Sequence, residues 1–261
     1  MEHQEISPAI LYWGTPVVLI SSANDDGSAN IAPMSSAFWL GHGAMIGLDA
    51  SSRTTQNIAR TRQCVLNLAS DDMAAAVNAL ARTTGTDPVP AGKRTRGYRF
   101  VKDKFAVARL TPQPSRHVAC PGIKECPVTM EAELVATHTM FGDGSAAAAE
   151  EALILAFEVR ILRVTVHENL RMQGEGLCNR VDADRWKPMI MMFCELYGLK
   201  QGKLAHSNLA DIDEEAYRPF ADLSRKGKIE AVDVYVDVDA DVKVVQEANS
   251  ERAHELGADN H

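Results

Sequence analysis

Residues 30–58 read N-I-A-P-M-S-S-A-F-W-L-G-H-G-A-M-I-G-L-D-A-S-S-R-T-T-Q-N-I. Two clusters of small hydroxyl residues flank an apolar strand. The second cluster, Ser51, Ser52, Arg53 and Thr54, runs into Thr55-Gln56-Asn57-Ile58. Ser and Thr are good N-cap residues, and Ile58 suits a helix that has just begun. A helix start offers unpaired N–H groups and a partial positive charge, which attract phosphate. Arg53 adds a fork of donors suited to phosphate oxygens. An ordinary capped helix with an exposed arginine is the plainer reading of the same residues. The first cluster follows Pro33, which lacks an N–H and favours an extended neighbour. Ala32, Pro33, Met34, Ser35 and Ser36 then form a strand end whose backbone can read the polar edge of a flat ring. Met34, Phe38 and Trp39 can pack on the ring face. A simple turn between two strands is the competing reading.

The segment has a consistent frame. Val17-Val18-Leu19-Ile20-Ser21-Ser22 is a β-branched strand, and Asn24-Asp25-Asp26-Gly27 is a hairpin turn. A strand around Met45-Ile46-Gly47-Leu48 precedes the second cluster, and Cys64-Val65-Leu66-Asn67-Leu68 closes the unit. In order and spacing this resembles the flavin reductase-like, FMN-binding split-barrel family, relatives of flavoredoxin. The resemblance is densest over residues 12–70. It continues through Cys126 to Leu134 and Ala156 to Ile161.

The resemblance implies a mainly β fold, an antiparallel Greek-key split barrel with peripheral helices. It implies a barrel domain over residues 1–170 and a helical C-terminal extension over 171–261. It implies FMN as cofactor, with FAD the alternative, and NAD(P)H as electron donor. Ala32, Pro33, Met34, Ser35 and Ser36 match the stretch that touches the isoalloxazine. Ser51, Ser52, Arg53, Thr54 and Asn57 match the stretch that holds the ribityl phosphate. Some relatives carry the basic residue one place earlier, where this chain has Ser52, so Arg53 reaches the phosphate either directly or from the side. A homodimer with flavin near the subunit interface and a partner monooxygenase are further implications. A non-catalytic flavin- or haem-binding module is the reading from another class, and a pyridoxal-phosphate-oxidase-like enzyme is a third.

Composition narrows the field. The chain has 261 residues, 46% hydrophobic and 24% charged, with a net charge of −8. That is enough chain for a sizeable core. The negative charge argues against a nucleic-acid partner. No apolar run approaches the roughly 20 residues of a membrane span. The acidic Met1–Glu5 lacks a signal-peptide pattern, so a cytoplasmic location is expected.

Elsewhere, Asp71 to Arg82 predicts a helix, with acid at its start and base at its end. Thr83 to Arg99 predicts a long polar loop carrying Lys93, Arg94, Arg96 and Arg99, either placed to attract nicotinamide-nucleotide phosphates or, as the plainer reading, simply solvated. Pro127–Thr139 and Leu153–His167 predict long strands, with Glu131 and Glu133 facing outward or to the barrel rim. Residues 142–152 predict a loop with a short helical turn. Val181 to about Leu199 predicts a helix with Met189, Ile190, Met192, Phe193 and Tyr197 on its apolar face. The resemblance implies that His206-Ser207, at the start of His206 to Ala210, covers the site of the same or a neighbouring subunit. Val232–Val245 predicts an edge strand and the last dozen residues a frayed end.

His117, Cys120 and Cys126 have metal-ligand chemistry but no second ligand pair at the usual spacing, and a Pro-rich connection with two thiols is the simpler reading. Cys64 and Cys194 are expected to be buried thiols. No nucleophile elbow, Walker loop or dinucleotide glycine fingerprint is present. No general base is singled out, because in a flavoprotein the cofactor carries the redox chemistry. His42 and His117 are the histidines nearest to consideration, each with a structural alternative.

Overall fold

The computed structural model describes residues 3–140, 153–174, 177–199 and 203–211. The predicted loop at 142–152, the predicted strand at Val232–Val245 and the C-terminal end lie outside the described residues. The chain divides into a unit spanning 1–221 and a second spanning 222–261, and the elements below belong to the first.

Chain order begins with strands β1 (Trp13–Pro16), β2 (Val18–Ala23), β3 (Ala29–Met34), β4 (Ala37–Leu40) and β5 (Gly43–Asp49). Helix α1 (Arg53–Thr61), strand β6 (Gln63–Leu68) and, after a 3-10 turn at Asp71–Met73, helix α2 (Ala74–Ala81) follow. The predicted loop is not featureless. Strand β7 (Thr83–Thr84) pairs in parallel with β8 (Arg99–Phe100), around a one-turn helix α3 (Ala91–Thr95). Helix α4 (Lys104–Ala108) leads to the short pair β9 (Pro112–Gln113) and β10 (Gly122–Ile123). The long strands β11 (Val128–Thr139) and β12 (Ile154–Val166) fall where alternation placed them.

Seven strands form one sheet in the order β3-β2-β6-β11-β12-β5-β4, and every pairing is antiparallel. Its two edge strands, β3 and β4, are joined by only Ser35 and Ser36. Two residues span at most about 7 Å, so the sheet must curl until its edges meet. The result is a split barrel, with the split between β3 and β4. Val18, Ile20, Ile46, Leu66, Phe157 and Val159 face inward and are buried. The alternate residues Val17, Leu19 and Ile31 face outward, under α2 and α4. Period-2 alternation thus gives β2 two buried faces, one in the barrel and one beneath a helical layer.

The predicted helix over 181–199 is corrected. Its last part is a hairpin of β13 (Ile190–Met192) and β14 (Glu195–Tyr197), with β13 pairing to β1. Phe193 and Cys194 turn the hairpin with φ of 48° and 66°. Both central residues at positive φ match the strand twist of a two-residue hairpin. Cys194 is exposed, not buried as expected, because it occupies that turn. No helix among the described residues is long and apolar enough to cross a membrane.

Candidate functional site

The site is built where β5 hands over to α1. Ser52 is the N-cap, in extended conformation, and its Oγ accepts the Thr55 amide at 3.1 Å. The Asp49 carboxylate accepts the Ser51 amide at 2.8 Å and the Ser51 hydroxyl at 2.6 Å. The Asp49 carbonyl takes the Ser52 amide at 3.0 Å and the Thr55 hydroxyl at 2.8 Å. These bonds fix the loop and leave the amides of Arg53 and Thr54 without an acceptor among the described residues. Two free amides at a helix start form an anion-binding concavity.

Arg53 is turned aside. Its Nε donates to the Gly85 carbonyl at 3.1 Å, and one terminal nitrogen lies 3.5 Å from Asp25. Gly85 packs so tightly here that a Cβ would sit 2.7 Å from Asn30 Oδ1 and 3.2 Å from Arg53 Cβ. A cleft of about 320 Å³ opens beside this arginine, lined by Asn24, Asp25, Arg53, Gly85, Phe100 and Lys102.

A buried polar network ties the loop to the ring strand. Asn30 Nδ2, on β3, donates to Thr54 Oγ1 at 2.9 Å. Asn57 Nδ2 donates to Ser22 Oγ at 3.1 Å and to Asn24 Oδ1 at 2.9 Å. Asn30, Thr54 and Asn57 are all buried. Among the described residues the side-chain oxygens of Asn30 and Asn57 have no donor. Orphaned buried acceptors cost free energy and are concentrated where a structure serves a ligand or a catalytic role.

The other end of the site is the barrel split. The Asn24 amide donates to the Ser28 carbonyl, so the even-numbered residues of β3 point their backbone groups at β2. By the alternation of an antiparallel ladder, Ala29, Ile31 and Pro33 present theirs to the open edge. Met34 is half-buried against the barrel core, Ser35 is buried and Ser36 is exposed. The Ser36 carbonyl accepts the Gly47 amide at 2.8 Å, and a side chain at Gly47 would meet Ser36 Cβ at 3.2 Å. Phe38 and Leu40 point outward, 55% and 66% exposed, while Ala37 and Trp39 turn in.

The bond from Asn30 to Thr54 ties the strand that runs on through Ala32 to Ser36 to the helix start that carries Ser51 to Thr54 and Asn57. The basic loop reaches the helix-start end. Arg96 lies 3.8 Å from the Asp49 carboxylate, and Thr86 approaches the Ser51 carbonyl. Lys93 is buried beside Asp49; burial holds its ammonium below the ordinary lysine range, with Arg96 adding to the effect and Asp49 opposing it. Lys104, which local sequence does not single out, is buried against β3 and donates to the Ile31 carbonyl at 2.8 Å. Its only sequence signal is the helix cap Asp103, whose carboxylate accepts the Ala106 amide at 2.9 Å.

The remaining candidates stand apart. Among the described residues, His117, Cys120 and Cys126 do not gather into a metal-ligand group. Cys120 is buried, with its thiol pushed up to about 12 by burial. Burial likewise raises the Cys64 and Cys126 thiols. His117 instead donates its backbone amide to Glu131. His42 sits in the β4–β5 turn, and His206 pairs with Asp211 at 2.8 Å.

Comparison with known proteins agrees with this geometry. The "Flavin reductase like domain" family model matches residues 12–180. The uncharacterized protein YdfE of Bacillus subtilis (strain 168) is 31% identical over 196 residues, covering 75% of this chain and 89% of that protein. Flavoredoxin of Desulfovibrio vulgaris (Miyazaki F) superposes with a TM-score of 0.62 at 20% identity, over 81% of this chain and all of that one. Nitrilotriacetate monooxygenase component B from Bacillus cereus gives 0.58 at 20% identity, over 76% and 89%. With a split barrel, an open-edged strand tied to a capped helix start, and a family model spanning most of the barrel, the chain belongs to the flavin reductase-like family, whose chemistry is flavin-linked oxidation and reduction.

Proposed function

We propose that this protein binds FMN on the wall between β3 and α1 and reduces it with NAD(P)H. The observation that carries the reading is the bond from Asn30 to Thr54. It ties the open-edged strand to the helix start that carries the two free amides, which supports a ligand with a ring at one end and a phosphate at the other. The Arg53 and Thr54 amides, the Ser51 and Ser52 hydroxyls and the Arg53 side chain would hold the phosphate. The backbone edge at Pro33 to Ser36 would meet the ring. Bound flavin supplies the hydride acceptor, and the protein supplies position and electrostatics. The Lys93-to-Arg99 loop would draw nucleotide phosphates toward the same wall.

The test is spectroscopic. The protein, loaded with FMN and desalted, should keep absorbance near about 450 nm, and NADH or NADPH should bleach it without oxygen. Retained flavin that neither nucleotide bleaches would sink the reductase and leave a flavin-binding module. Parallel titrations with FAD decide between the two flavins.

Arg53→Ala tests the phosphate end. A charge-assisted bond is worth about 1.5–3 kcal/mol, so the dissociation constant for FMN should rise tenfold or more. Some of that loss is offset, since the free enzyme also gives up the contact to Asp25. An unchanged constant would show that Arg53 serves only Asp25 and Gly85.

A homodimer follows from the same reading. Phe38 and Leu40 crowd apolar surface onto the outer face of an edge strand beside the ring end, and a second copy would cover it. Light scattering reports the mass. We also propose that reduced flavin serves a partner monooxygenase, by analogy with the component B relative.

A further inference from the structure

The strand that bears the ring end has one clamp on its open edge, and that clamp is a buried cation. Lys104 is 3% exposed, and its Nζ sits 2.8 Å from the carbonyl of Ile31, two residues before Pro33. Among the described residues the outward groups of β3 have no neighbouring strand, so this bond does part of the work that a strand partner would do. A carboxylate does not accompany it. Asp103, next in sequence, caps α4 through the Ala106 amide, and no salt bridge to Lys104 forms among the described residues. Helix α4 packs on β3 and α2. Neither Ala29–Met34 nor Ala74–Ala81 contains an ionisable side chain. The charged group that acts on Lys104 is Lys93, which lies beside Asp49 at the helix-start loop and has Arg96 as its other neighbour. Burial first, and Lys93 second, lower the Lys104 ammonium to about 7.

We propose that Lys104 is a positioning residue that latches the open edge of the ring-bearing strand in its charged form, and that binding a flavin phosphate at the loop is coupled to uptake of a proton by this lysine. The coupling rests on the flavin reading above. An anion held on the Arg53 and Thr54 amides would sit next to the loop fixed by Asp49, the residue that neighbours Lys93. It compensates the repulsion between the two lysines and favours the charged form of Lys104. By linkage, a ligand that favours the protonated state binds with proton uptake and binds more tightly as pH falls. The neutral amine remains a donor to Ile31, but a weaker one than the ammonium.

Two measurements on the full chain test this. The first uses no flavin: NMR of ¹³Cε-labelled lysines should show one lysine titrating near neutrality, absent in Lys104→Met. The second is calorimetry of FMN binding at about pH 7 in two buffers of different ionisation enthalpy. Wild type should take up a substantial fraction of one proton. Lys104→Arg, which keeps its charge at any relevant pH, should bind FMN below pH 7 within a fewfold of wild type with no uptake. Lys104→Met should lose the uptake and bind more weakly. An ordinary lysine midpoint in wild type overturns the proposal whatever FMN does, and so does proton uptake that persists in Lys104→Met. A neutral midpoint with no FMN binding overturns the flavin reading and the coupling, and leaves the latch standing.

Discussion

Glu131→Ala is expected to destabilise the barrel by about 1–3 kcal/mol, the cost of leaving the donors around a buried carboxylate without their acceptor. The Glu131 carboxylate is buried on the outward face of β11. Arg163 donates to it at 2.7 Å, and the amides of Arg116 and His117 donate at 3.0 Å and 2.6 Å. Outward-facing was the expectation, and outward-facing it is. What covers it is the 114–121 connection, whose amides would otherwise lack acceptors. Burial raises its carboxyl pKa, but the His117 amide, Arg163 and the Arg116 amide outweigh burial and hold it below the usual range. A folded-state pKa that is depressed contributes stability above the unfolded value of about 4.3, lost as pH falls through the folded value. Urea midpoints should therefore fall for Glu131→Ala at neutral pH. They should also fall less steeply with acid in Glu131→Gln than in wild type. A stability within about 0.5 kcal/mol of wild type for the alanine variant would mean that water replaces the carboxylate freely.

The parts of this molecule that could be read from sequence are those where one local pattern dominates. The alternation over 128–139 and 154–166 admits little but long strands, and the Asp26-Gly27 turn fixes the β2–β3 hairpin with Gly27 at φ 79°. Ser52 and Ile58 marked α1 through its cap and its buried apolar residue. The hairpin at Ile190–Tyr197 was not legible, because Met189, Ile190, Met192, Phe193 and Tyr197 satisfy a helical stripe nearly as well as an alternating one. The choice was made by β1, far off in sequence, and by a turn of two residues at positive φ that carries no Asn-Gly signal. The ring end of the site is intermediate. Pro33 announces an unpaired edge, but that Ser35 and Ser36 join the two ends of a seven-stranded sheet is a property of the whole topology. Lys104 was illegible for a further reason. A lysine at the start of a helix normally lies in water, and only the pairing of α4 with β3 shows that this one does not.

That burial has a measurable consequence, the second large effect expected. Lys104→Met should raise stability at about pH 6.5 and lose its advantage by about pH 10. The folded-state value near 7 lies below the ordinary 10.5. Between the two, the unfolded chain carries a proton that the folded chain does not, so wild-type stability rises with pH across that window. Each pH unit is worth about 1.4 kcal/mol, and the whole window is on the order of 4–5 kcal/mol. Below the folded value the full burden is present. Methionine fills similar volume without charge, but it leaves the Ile31 carbonyl without its donor, a loss of about 1–3 kcal/mol. The variant should then be more stable by roughly 2 kcal/mol in weak acid and less stable by a similar amount in base, with the curves crossing between. Urea unfolding across that range decides the matter, and parallel pH profiles for the two proteins would refute it. A barrel that would be more stable at neutral pH without one of its own side chains is keeping that side chain for something other than folding. The Ile31 carbonyl, on the edge where the ring end begins, is what that side chain holds.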